Sequence, residues 1–194
     1  MNNPKIKITK SELLSDNWYI LKKITYDYQK ENAPNEIQVR EVYDRGNGAT
    51  ILLYNKNQKS VILTRQLRIP TYMNGNETGM MIETCAGLLD NDNPEDCIRK
   101  EITEETGYEI NKVQKIFEVY MSPGSVTEII HFFIGEYAPE QKVKDGGGLH
   151  HEQENIEVLE YLFEDAYTMI TTGEIKDAKT IMLLQYAKIN HLFD

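Results

Sequence analysis

Short apolar or period-two runs recur along most of this chain. They lie at Trp18 to Tyr28, Glu36 to Tyr43, Ala49 to Tyr54, Ser60 to Gln66, Gly79 to Thr84, Lys112 to Tyr120, Thr127 to Tyr137 and Ile156 to Phe163. Rich in β-branched and aromatic residues and bounded by turn formers, they predict strands. Two junctions, Asp44-Arg45-Gly46-Asn47-Gly48 and Asn55 to Lys59, are turn chemistry, for which a hairpin or meander is the cheapest connection. Helical signals are fewer. Asn93 as N-cap, Pro94 at the first helical position, Glu95 and Asp96 in the first turn and Gly107 as a stop frame a helix over Pro94 to Thr106. Two more are expected near the end, around Glu164 to Thr172 and from Asp177 to about Leu192. Gly146-Gly147-Gly148, inside Gln141 to Glu154, predicts a mobile loop able to carry function.

Composition narrows the function classes. With 194 residues the chain is long enough for one ordinary domain, and no low-complexity tract or internal repeat interrupts it. The 21 basic and 31 acidic residues give a net charge of -10, which repels nucleic-acid backbones at long range but leaves room for a local basic pocket holding a small anion. Cys85 and Cys97 are the only cysteines and form no CxxC pair, which suits a reduced cytoplasmic protein with packing thiols. The amino-terminal segment lacks the apolar core of a signal peptide and no stretch approaches the length of a membrane span, so no membrane partner is expected.

The helix over Pro94 to Thr106 is where chemistry concentrates. A rotation of about 100° per residue places Glu101, Glu104 and Glu105 on one face, where like charges repel unless a cation joins them. Carboxylate oxygens are the ligands that Mg²⁺ or Mn²⁺ prefer. An ordinary solvated face, with Lys100 pairing to Glu104, is the competing reading. Against it, Cys97, Ile98 and Ile102 form an adjoining apolar stripe, so Glu101 and Glu105 flank a buried face and need partners.

The stretch AGLLDNDNPEDCIRKEITEETGY, Ala86 to Tyr108, resembles the Nudix box, a glycine, five residues, a glutamate, seven residues and then REUxEExGU with U apolar. Glu101, Ile102, Glu104, Glu105 and Gly107 match its second half. The first half departs: the arginine falls on Lys100, the first glutamate on Asp92 and the glycine on Ala86, with Gly87 one place late. Further stretches, LSDNWYILKKITYD, REVYDRGNGATILLYN, TRQLRIPTYMNGNE, YMSPGSVTEIIHFF and GEIKDAKTIMLLQY, are similar to the GDP-mannose pyrophosphatase branch of that family, a relative of the ADP-ribose pyrophosphatases. Pro123 stands in the SPG turn where sugar-nucleotide hydrolases of the family tend to place a proline.

The resemblance implies an α+β fold, a Nudix α/β/α sandwich with a mixed sheet over residues 49–194. Residues 1–48 would form an antiparallel N-terminal β-sheet through which the chain makes a homodimer. It implies Mg²⁺, with Mn²⁺ as substitute, held by Glu101, Glu105, the carbonyl of Ala86 and a loop acid, Glu154 with Glu152 as alternative. Those loop acids and Glu105 are the expected catalytic carboxylates. Substrate contacts are implied for Trp18, Arg40, Glu41, Arg68, Gly87 and Glu128. Read without the family, Trp18 is more simply a core residue, and Arg40, Arg45, Arg65 and Arg68 are charges on strand faces, although arginine suits bidentate phosphate contacts. The implied reaction is hydrolysis of a nucleoside-diphosphate sugar, GDP-mannose giving GMP and mannose 1-phosphate. ADP-ribose hydrolysis and a silent nucleotide-binding domain are the rivals. His150 and His151, adjacent in a loop, are taken as polar loop residues and His131 as a hydrogen-bonded core histidine.

Overall fold

A computed structural model describes residues 3–194, the side chain of Glu152 excepted. The fold is α+β. It divides into two compact units, one holding the chain up to Asn47 together with Tyr120–Ile129, the other Gly48–Val119 with Ile130–Asp194.

The first unit is an antiparallel sheet ordered β1 (Lys5–Asp16), β2 (Ile20–Gln29), β3 (Glu36–Asp44). The sequence reading did not anticipate β1, and its register shows why. Irregularities between Ile8 and Lys10 and between Leu13 and Ser15 shift the pairing by one residue each. Ile6 opposite Tyr28, Ile8 opposite Tyr26 and Leu13 opposite Lys22 therefore share a face, although 6, 8 and 13 do not keep a period of two. The Tyr120–Ile129 segment is stitched to the end of β3: Tyr43 donates its amide to Ser125 at 2.8 Å and accepts from Thr127 at 3.1 Å, and the Thr127 hydroxyl donates to Asp44 at 3.0 Å.

The second unit is built on a mixed sheet in the order β10 (Glu157–Leu162), β5 (Ser60–Leu67), β4 (Gly48–Asn55), β9 (Ile129–Glu136), β8 (Gln114–Tyr120), with β6 (Met80–Glu83) on β5 and β7 (Cys85–Leu88) on β4. β4 runs parallel to β9 and antiparallel to β5 and β7. The Asn55 to Lys59 turn makes the expected β4–β5 hairpin. The Asp44 to Gly48 turn does not make one, since β3 and β4 lie in different sheets. β4 is buried throughout, which a strand covered on both faces requires. Ala49, Ile51 and Leu53 face Cys97, Ile98 and Ile102. Alternate residues take the other face, where Phe132, opposite Thr50, meets Phe117 at 4.8 Å and Phe117 meets Tyr186 of α4 (Ala178–Ile189) at 6.1 Å. Fully burying Ile98 and Ile102 stabilises this arrangement by about 1.5–3 kcal/mol each.

α1 (Ile69–Met73) is a short helix the sequence reading passed over, while α3 (Phe163–Thr172) and α4 fall where expected. In α2 (Pro94–Glu101) Asn93 caps the first turn by accepting from the amides of Glu95 and Asp96 at 3.1 and 3.0 Å. The α-helix ends earlier than the sequence predicts, because Ile102–Thr106 widens into one π-helical turn before Gly107 takes a φ of 79°. Two threonine hydroxyls sit in this turn and bond backward, Thr106 to the Ile102 carbonyl at 2.6 Å and Thr103 to that of Arg99 at 3.2 Å, competing with the regular ladder. Such single π-turns recur at functional sites.

Candidate active site

β7 pairs with the first half of β4, Ala86 opposite Thr50 and Gly87 opposite Ala49, and α2 packs over it. This brings Ala86, Gly87, Glu101 and Glu105 together. Glu105, only 1% exposed, accepts the Ala86 amide at 3.2 Å and is also hydrogen-bonded by the Cys85 thiol. Burial pushes its pKa up to about 8; the thiol and the amide pull against that, while the charges of Glu101 and Glu154 add to it. The Glu101 carboxylate lies flat on Gly87, where a Cβ would stand 1.9 Å from Oε1. That contact accounts for the late glycine. Position 86 tolerates a side chain and position 87 does not.

The glycine run is tied to the helix end by hydrogen bonds. Gly147 and Gly148 donate their amides to the carbonyls of Glu105 and Glu104 at 2.8 and 3.1 Å, satisfying the C-terminal end of the π-turn. Gly146, Gly147 and Gly148 all have positive φ, and a Cβ on Gly146 would meet the Glu105 carbonyl at 2.4 Å. The chain then makes a short turn over His150–Glu152 and returns, so that Glu154 Oε2 accepts the Leu149 amide at 2.9 Å. Glu154 is within electrostatic reach of Glu105. The side chain of Glu152 lies outside the described residues.

Arg68, at the end of β5, adds positive charge. Its Nε contacts both oxygens of Glu83 at 3.0 and 3.2 Å and its Nη2 donates to Oε2 at 2.7 Å. Burial works against the guanidinium's charge, but Glu83, with Glu105 and Asp177 beyond it, outweighs burial and holds Arg68 above its usual range. Sequence reasoning missed Glu83, yet the run MMIETC held a signal, an acid within apolar residues that needs a cationic partner. Asp177 caps α4, accepting from the Thr180 amide at 2.9 Å and from Lys179 at 2.7 Å, and Thr180 accepts the Thr84 amide at 2.7 Å beside Glu83.

Trp18, Arg40, Glu41 and Glu128 belong to the other compact unit. Trp18 is 75% exposed at the β1–β2 bend, which overturns the core reading for it. Arg40 is exposed on β3, donating to the Val39 carbonyl at 2.7 Å. It lines a cavity of about 680 Å³ with Glu41, Tyr26, Pro123 and Thr127. Glu128 is buried and paired to Arg45 at 3.3 Å, whose guanidinium lies over Tyr19, a coupling the sequence reading left unconnected. Arg65 pairs on the surface with Glu157 at 3.0 Å. His131 is half-buried on β9 with Nδ1 3.1 Å from Glu118. His150 and His151 are exposed. Both cysteines are buried free thiols pushed up by burial, Cys97 to about 12, and neither is a nucleophile at neutral pH.

A divalent cation suits this donor set. Burial first, and then the charges of Glu101 and Glu154, hold the Glu105 carboxyl above its usual range, and hard oxygen ligands are those that Mg²⁺ and Mn²⁺ take. Among the described residues, no three acidic, histidine or cysteine side chains enclose a metal position by themselves, and Glu105 and Glu154 each accept a backbone amide. Mg²⁺ is usually bound through one or two carboxylates with water and substrate phosphates completing the shell.

A mixed sheet with an acid-bearing helix laid against a strand glycine defines a hydrolase of the Nudix class, whose members generally use divalent metal ions. The NUDIX domain model matches residues 44–184 and the model described as GDP-mannose pyrophosphatase NudK N-terminal domain matches residues 5–43, so the chain belongs to the Nudix family, in the branch carrying that N-terminal domain. Relatives named GDP-mannose pyrophosphatase include one from Shigella flexneri serotype 5b, 59% identical over 189 residues that cover 97% of this chain and 98% of the relative. One from Escherichia coli O1:K1 and one from Escherichia coli O157:H7 are each 58% identical with the same coverage. No helix among the described residues is long and apolar enough to cross a membrane.

Proposed function

We propose that the chain hydrolyses the pyrophosphate bond of GDP-mannose to GMP and mannose 1-phosphate, using Mg²⁺ or Mn²⁺ held by Glu101, Glu105, Glu154 and the Ala86 carbonyl. The observation that carries this reading is the seat of Glu105, sealed between the β7 backbone and a second acid on the same helix. When bound there, a divalent cation would neutralise phosphate charge and activate water. Glu101 and Glu105 hold fixed positions because Gly87 admits the one and Ala86 anchors the other. Glu154 is the general base, on a loop segment anchored by Leu149 and by β10 beyond it, with Glu152 as the alternative. Arg68 binds a phosphate through the edge of its guanidinium not taken by Glu83. Gly87 contacts the substrate beside the metal ligands, and the family resemblance is what supports a substrate role for Trp18, Arg40, Glu41 and Glu128 of the other unit.

The chain acts as a homodimer assembled through its N-terminal sheet. Supporting this, Ile6, Ile8 and Leu13 on one sheet face are more than half exposed, an apolar surface a monomer seldom leaves open. Two buried free thiols suit a reducing cytoplasm. A panel of nucleotide sugars and ADP-ribose assayed with Mg²⁺ tests the substrate. Preferred turnover of GDP-mannose is expected, and preferred turnover of ADP-ribose would move the protein to the neighbouring branch.

A further inference from the structure

Glu83 is 4% exposed, sits at the end of β6 and spends its carboxylate on one side chain, making three contacts of 2.7 to 3.2 Å with Arg68. The strand beneath it is held in turn, since Glu83 pairs opposite Thr64 and its carbonyl accepts the Thr64 hydroxyl at 3.3 Å. Arg68 is fixed from the backbone side as well. Its amide donates to Gly79 at 2.8 Å, and its carbonyl accepts both the amide and the hydroxyl of Thr71 at 2.9 Å. With Nε and Nη2 committed to Glu83, Nη1 has no acceptor among the described residues. An arginine gripped along one edge loses the rotamer freedom it would otherwise give up on meeting a phosphate, and presents its other edge in one direction.

We infer that Glu83 is a positioning residue: it aims the Nη1 edge of Arg68 at the pyrophosphate of the substrate. This rests on the reading of Arg68 as a phosphate ligand. A carboxylate near a dianionic substrate is unfavourable by charge alone. Its gain is geometric, because a displacement of about 1 Å in a positioning group can cost about 10²-fold in rate. Without Arg68, Glu83 would be an unpaired buried charge, so the two act as one unit.

The test uses the full chain with Mg²⁺, in wild type, Glu83→Gln, Arg68→Gln and the double variant. It reads KM and kcat on GDP-mannose, the Kd of inorganic pyrophosphate by calorimetry, and Tm. Each single variant is expected to raise KM and Kd about 10- to 100-fold, and the double variant is expected to be no worse than Arg68→Gln. A purely structural Glu83 would lower Tm and leave Kd where it was. Unchanged or tighter pyrophosphate binding in Glu83→Gln, or effects that multiply in the double variant, overturns the assignment. Should Glu83→Gln fail to fold, Arg68→Lys, which keeps the charge but not the two-pronged grip, must show the same rise in KM, and wild-type behaviour there overturns it equally. Wild type that binds pyrophosphate but spares GDP-mannose refutes the substrate instead, leaving the role of Glu83 readable in Kd. Wild type that binds no pyrophosphate refutes the positioning role.

Discussion

A carboxyl group sealed beside two others is a poor place for negative charge until a cation arrives. The pKa of Glu105 is raised from 4.5 to about 8 by burial first, so metal-free protein at neutral pH holds it largely as the neutral acid. A group whose folded pKa lies above its unfolded value contributes stability below the unfolded pKa and loses it as pH rises through the folded one. Metal-free protein should therefore lose stability between about pH 4.5 and 8, a loss that Glu105→Gln flattens; urea midpoints across that range in a chelating buffer measure it. The same substitution should lower turnover at least about 10²-fold, because a neutral amide is a weaker cation ligand. Near-normal turnover in folded Glu105→Gln would remove it from the metal site. Gly87→Ala separates geometry from charge. Its Cβ would displace the Glu101 carboxylate, 1.9 Å away, and kcat/KM is expected to fall about 10²-fold with the circular dichroism spectrum unchanged.

Among the elements, the π-turn and the glycine run behave as one piece. The run's amides complete the hydrogen bonds that the helix end leaves open, and Gly146 approaches so closely that a side chain has no room. Gly146→Ala also pays for a φ of 79°, and should lower stability by about 1–3 kcal/mol while weakening Mg²⁺ binding, both readable by denaturation and calorimetry. Glu154 returns from this run to an anchored position. Glu154→Gln is thus expected to reduce kcat strongly with little change in KM, and Glu152→Gln to do so weakly; the reverse ranking in steady-state kinetics would transfer the base role. What was legible in the sequence follows from how local each signal is. The strands announced themselves through β-branched alternation and α2 through Asn93, Pro94 and Gly107. β1 stayed hidden because its two irregularities break the period, and β7 because four residues carry no period. The tie between the glycine run and the helix end joins residues some 40 apart, and the partner of Glu83 lies 15 residues upstream, so neither pairing had a local mark.

At the scale of the molecule, the N-terminal sheet shows apolar side chains to solvent on the face holding Ile6 and Ile8. If the proposed dimer forms through this face, wild type sediments as a dimer in analytical ultracentrifugation and Ile8→Lys as a monomer with a raised KM; a monomeric wild type, or a variant that stays dimeric with unchanged KM, argues against this interface. That sheet is not built from one continuous stretch of chain, however. The end of β3 is completed by Tyr120–Ile129, which arrives from the middle of the catalytic unit between β8 and β9. Because the strands up to Asn47 and the Tyr120–Ile129 segment form one compact unit, anyone grafting this sheet onto another enzyme must transplant two pieces of sequence instead of one.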